Sequence, residues 1–130
     1  MATPTPPQSP HVVTDAQRAT VRRRNAEDAF ARAAKRERAW SAARACAALL
    51  RERFGAERVD VFGSLVVEDG RWFGVRSDID LAAWGVRDAD YFTAVGQLQG
   101  VGGEFEVDLV AMERCPTHLR ATIEEHGVTL

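Results

Sequence analysis

The residues of this chain best suited to chemistry are aspartates at alternate positions. Ser77-Asp78-Ile79-Asp80-Leu81 reads as the start of a strand, and strand side chains two apart project to the same face. Asp78 and Asp80 then stand side by side while Ile79 and Leu81 enter the core. Two adjacent ionised carboxylates repel, and holding both charged calls for a cation between them. An all-oxygen donor set suits Mg²⁺ or Mn²⁺, not zinc, and Mg²⁺ takes one or two carboxylates plus substrate phosphates. A second alternating stretch, Phe105-Glu106-Val107-Asp108-Leu109, sets Glu106 and Asp108 opposite its apolar residues. If this strand lies beside the first, Asp108 becomes a third carboxylate, and the constellation suits two-metal phosphoryl or nucleotidyl transfer. Upstream, Val61-Phe62-Gly63-Ser64 closes a strand on a glycine. A glycine there lets backbone approach a ligand, and the amides after it, with the Ser64 hydroxyl, can donate to phosphate oxygens.

Each feature also has a plainer reading. An Asp-x-Asp at a strand mouth can be a solvated edge, Ser64 a helix cap, and Glu106 a solvent-facing or cation-paired side chain. Trp72 and Phe73 suit the core contacts of a hairpin as well as stacking on a base. His11, His118 and His126 are unclustered, without metal-ligand spacing, and read as surface residues. Cys115, before Pro116, has no nearby base in the sequence and reads as structural.

The elements that position these residues are legible in outline. Residues 1–13 hold four prolines among small polar residues and read as a flexible tail. Thr14 and Gln17 fit a capping box. From there to Phe54 there is neither Gly nor Pro, which predicts helix. Trp40, Ala43, Ala47, Leu50 and Phe54 share one face, bordered by Cys46 and Leu49, and Gly55 is the stop. The part before Arg36 has a poorer apolar stripe, and reads as a separate helix or as one that forms on binding. Strands are expected at Arg58–Phe62, Ile79–Trp84 and Phe105–Met112, with a turn or hairpin in 65–76. Asp88 is the expected N-cap of a helix to about Gln99, with Phe92, Val95 and Leu98 inward, followed by a loop at 100–104. Pro116 opens a last helix to about His126, ended by Gly127. Helices around a few strands give a small α/β or α+β domain with one sheet.

The 130 residues carry 45% hydrophobic side chains, enough for one domain without disulfides or a structural metal. Two cysteines, Cys46 and Cys115, are too few for a disulfide scaffold or a four-ligand zinc site, and read as reduced thiols of a cytoplasmic protein. No apolar run approaches the length of a membrane span, and the start, MATPTPPQSP, lacks the features of a secretory signal. The net charge of −2 hides a split: residues 14–53 carry eleven basic and five acidic side chains, residues 54–130 six and fourteen. The basic part reads as an interaction arm or as a solvated helix. The acidic part argues against a domain that coats nucleic acid.

Taken in order, FGSL, SDIDLA and FEVDLV resemble the minimal nucleotidyltransferases of the DNA polymerase β-like superfamily. The likeness runs from about Ala39 to Leu130, leaving a tail (1–13) and a basic helical extension (14–38) outside it. It implies a small mixed sheet flanked by helices with the site at its open edge. It also implies that Gly63 and Ser64 hold the nucleoside triphosphate, that Asp78 and Asp80 bind Mg²⁺, and that Asp108 is the third metal carboxylate and helps deprotonate the attacking hydroxyl. The activity implied is transfer of a nucleoside monophosphate, AMP from ATP, to a protein hydroxyl. The partner implied is a helical HEPN-type protein, with this chain as its antitoxin. The thirteen residues between Ser64 and Asp78 exceed the commonest spacing of the family, and Leu65-Val66-Val67 stand where small and basic residues are usual. The alternative is a non-catalytic binding module that neutralises a HEPN-type partner by complex formation, its basic segment contacting an acidic surface. A free-standing transferase for a small molecule is disfavoured, because the chain has no room for an acceptor domain.

Overall fold

The computed structural model describes residues 13–67 and 78–130. The expected tail, apart from Val13, and the 65–76 hairpin beyond Val67, with Trp72 and Phe73, lie outside them, as does His11. The chain divides into two compact units, Met1–Ala31 and Arg32–Leu130.

One helix, α1 (Asp15–Phe54), begins in the first unit and ends in the second. Its start is the expected capping box. The Gln17 amide N–H donates to Thr14 Oγ1 at 3.1 Å, and the Thr14 N–H donates to Gln17 Oε1 at 2.9 Å. Two orphan donors of the first turn are thereby satisfied. The weak apolar stripe before Arg36 does not break the helix. Alanine and straight-chain residues sustain it without a buried face. Every described residue from Val13 to Ala33 is exposed, Val21 and Phe30 among them.

In the second unit α1 gains a buried face, formed by Ala39, Ala43, Cys46, Ala47 and Leu50. Its small side chains let the helix lie close to the sheet, and burial pushes the Cys46 thiol up to about 11, which leaves it unreactive at neutral pH. Gly55 at φ +70° ends the helix, as expected, and the Ala56 N–H returns to the Leu50 carbonyl at 3.0 Å.

Four strands follow: β1 (Arg58–Phe62), β2 (Asp78–Trp84), β3 (Glu106–Ala111) and β4 (Val128–Thr129). They form one mixed sheet in the order β3-β2-β1-β4. β1 is antiparallel to both neighbours, and β2 and β3 are parallel. The parallel pair needs a crossover, supplied by α2 (Tyr91–Gly102). Val59, Val61, Ile79, Leu81, Val107 and Leu109 point to one face, where α1 and α2 cover them. On the opposite face α3 (Thr117–His126) lays Ile123 against Ala82 and Met112, with Phe62, Trp84, Val110, Cys115 and Leu119 packed around them. The fold is thus a small α+β domain with a mixed sheet and helices on both faces. No helix of the described residues is long and apolar enough to cross a membrane.

Several local expectations are corrected. Asp88 does not cap α2. It opens a 3₁₀ turn (Asp88–Asp90) and pairs with Arg114 at 3.2 Å. Leu98 is buried and Val95 packs against the core as expected, but Phe92 is 83% exposed, with Tyr91 and Ala94 on the core side in its place. The expected loop at 100–104 is helical as far as Gly102, where a Cβ would lie 2.5 Å from Val107 Cγ2. Glycine there lets the helix end touch β3.

Candidate active site

Register brings the carboxylates together. Asp80 on β2 lies opposite Asp108 on β3 and opposite Phe62 on β1, and Asp78 lies opposite Glu106. Neighbouring strands run about 4.8 Å apart, so Asp78, Asp80 and Asp108 share one face of the sheet. They occupy the end of that face which α3 leaves uncovered. Asp108 and Glu106 are exposed, Asp78 and Asp80 half-buried.

The electrostatics identify Asp80 as the centre. Burial first, then the charge of Asp108, then that of Asp78, push its carboxyl up to about 6 from the ordinary 3.8. Glu106 lies opposite Asp78, at the first position of β3. Among the described residues no three His, Cys, Asp or Glu side chains are gathered closely enough to enclose a metal by themselves. The donor set nonetheless fits Mg²⁺, a hard cation that keeps waters and substrate oxygens and takes only one or two carboxylates from protein. Asp78 and Asp80 would hold it, with Asp108 across the strand as the third oxygen donor.

Gly63 completes the centre. It follows β1 with φ +77°, and a Cβ on it would fall far inside van der Waals contact with Asp80 Oδ2. Glycine is therefore required twice, for the backbone conformation and for the space beside the carboxylate. It opens a 3₁₀ turn, Gly63–Val66, which places Ser64 half-buried in its first residues and seats Leu65 in the core. The turn is pinned from α1. Arg36 donates from Nη2 to the Leu65 and Val67 carbonyls, both at 3.2 Å, while its buried Nε has no hydrogen-bond partner among the described residues. Arg36 was not singled out in the sequence, where it is one of several cations on a helix.

A fourth aspartate shares this face. Asp60 on β1 is wholly buried and accepts from Arg58 Nε and Nη2 at 3.0 and 2.9 Å and from Thr129 Oγ1 at 2.8 Å. The Arg58 guanidinium lies 4.5 Å from the centre of the Trp84 ring. Asp60 is thus charge-compensated and spent on structure, joining β1 to β4. His118 and His126 are exposed on α3, and the Cys115 thiol, half-buried, contacts the Pro116 carbonyl at 3.5 Å.

No protein-family model matches the chain, and no curated protein matches it.

Proposed function

We propose that this chain is a Mg²⁺-dependent nucleotidyltransferase that moves AMP from ATP to a hydroxyl of a partner protein, of the polymerase β-like minimal type that its motifs resemble. The observation that carries the reading is the register that sets Asp108 beside Asp80, with Gly63 packed against the Asp80 carboxylate. The Gly63–Ser64 amides and the Ser64 hydroxyl grip the β- and γ-phosphates. Asp108 accepts the proton of the acceptor hydroxyl as its oxygen attacks the α-phosphorus. The bond from that phosphorus to the oxygen bridging to the β-phosphate breaks, and pyrophosphate leaves with the electron pair. Asp78 and Asp80 would hold Mg²⁺, which when bound would supply charge stabilisation to the phosphates. The acceptor belongs to a helical, HEPN-type partner that this chain restrains as an antitoxin.

The test uses ATP radiolabelled on its α-phosphate, with Mg²⁺, with and without the product of the adjacent gene. Label on the partner, absent with Asp78→Asn, supports the assignment, and transfer retained by Asp78→Asn overturns it. A second reading, a module that neutralises its partner by binding alone, is favoured by Phe30, 78% exposed on α1. On that reading the complex survives Asp78→Asn, no label moves, and Phe30→Asp breaks the complex.

A further inference from the structure

Among the described residues β3 is an edge strand, hydrogen-bonded to β2 on one side only. It is also the strand that carries Asp108 into a group of like charges. Asp108, Asp80 and Asp78 are like charges that repel one another, and among the described residues no further strand backs β3 on its outer side.

Two side chains of α2 take the place of the missing strand. Gln99 Oε1 accepts the Val107 N–H at 3.1 Å, and Gln99 Nε2 donates to the Val107 carbonyl at 2.7 Å. This is the paired donor and acceptor that an antiparallel neighbour would offer one residue. Gln99 Nε2 is itself steadied by the Val95 carbonyl at 3.2 Å. Two residues further along, Tyr91 Oη donates to the Leu109 carbonyl at 2.6 Å. Gly102 lets α2 lie directly on Val107, and the Phe105 N–H donates to the Gly102 carbonyl at 3.1 Å. The two bonded residues, Val107 and Leu109, flank Asp108.

We propose that Gln99 and Tyr91 are positioning residues that bracket the backbone on both sides of Asp108 and hold its carboxylate in register with Asp80. The inference rests on the functional reading above for its kinetic consequence, but not for its geometry. Neither side chain touches a reacting atom. Their effect falls on the step Asp108 serves and spares nucleotide contacts made by Gly63 and Ser64. Loss of the bracket therefore lowers kcat and leaves KM for ATP in place.

The test compares the full-length protein with Gln99→Leu, Tyr91→Phe and the double variant. Tyr91→Phe deletes one oxygen and keeps the ring, so it remains informative if Gln99→Leu does not fold. The expected result, at saturating Mg²⁺, is a kcat lower by about 10-fold or more in the double variant, because small displacements of a reacting group are costly, with KM for ATP within about twofold. Amide exchange at Val107 and Asp108 is expected to quicken while that of β1 stays unchanged. Equal kcat in wild type and double variant overturns the proposal. Should the wild type transfer no nucleotide, Mn²⁺ binding followed by electron paramagnetic resonance decides separately. Weaker Mn²⁺ binding in the double variant upholds the bracket although the transferase reading has failed, and unchanged binding overturns it.

Discussion

Asp60 and Asp80 lie on the same face of the same sheet, on neighbouring strands, and their surroundings are opposite. Asp60 is fully buried and meets a guanidinium, a threonine hydroxyl and the close approach of Gly127, where a Cβ would stand 3.1 Å from its Oδ2. Asp80 is half-buried and meets two further carboxylates and the bare backbone of Gly63. Among the described residues, Asp60 is met by a cation and a hydroxyl, whereas Asp80 is met by two carboxylates. The difference separates a residue that holds the sheet together from one that the sheet holds in tension.

The largest effect that would break this contrast is on activity. Asp78→Asn and Asp80→Asn are each expected to lower transfer by about 10³-fold or more, measured as label incorporated per unit time. Asp60→Asn is expected to retain catalysis in the fraction that is folded. Gly63→Ala forces a Cβ into the Asp80 carboxylate at a left-handed φ. It is expected to cost about 1–3 kcal/mol in urea unfolding and to abolish transfer.

The next contrast is in stability and has opposite signs at the two sites. Asp60→Ala removes three hydrogen bonds and the partner of Arg58. A loss of about 2–3 kcal/mol is expected, moderated because Arg58 itself reaches solvent. Asp80→Asn is expected to stabilise the metal-free protein at pH 7.5 by about 1–2 kcal/mol, allowing for the water that reaches this half-buried group. The sign follows from linkage. The folded pKa of about 6 lies above the unfolded 3.8, so the native state holds the proton more tightly. The contribution of Asp80 to wild-type stability is greatest below about pH 4, falls as pH rises through about 6, and is level above. Urea unfolding between pH 4 and pH 8 should show the wild-type and Asn curves converging at the acid end. A gap that widens toward low pH would contradict the account.

The smallest effect concerns the 3₁₀ turn Gly63–Val66. Arg36→Met loses the two bonds to Leu65 and Val67. It is expected to change stability by no more than about 1 kcal/mol and to raise KM for ATP severalfold.

Much of this was legible in the sequence because it is local. Alternation placed Asp78 and Asp80 on one face and Ile79 and Leu81 on the other, and the capping box and the Gly55 stop bound α1. What escaped reading depends on partners distant in the chain. Asp60 looked like any outward-facing polar residue of a strand, since nothing nearby indicates that Thr129, sixty-nine residues later, returns to it. β4 has two residues, too few for a period to show. Gln99 looked like a polar position near the end of a helix, and its bonds to Val107 emerge only when α2 is docked. Phe92 was placed inward on its spacing from Val95 and Leu98, but it stands in the first turn of α2, where the core side of the helix is taken by Tyr91 and Ala94.

The central claim is that the carboxylates at the open end of the sheet form a cation-dependent triphosphate site. Calorimetric titration of ATP into the wild type and Asp80→Asn, each with and without Mg²⁺, tests it most directly. The account expects binding by the wild type only when Mg²⁺ is present and none by Asp80→Asn. Equal heats for the two proteins, or ATP binding indifferent to Mg²⁺, would contradict it.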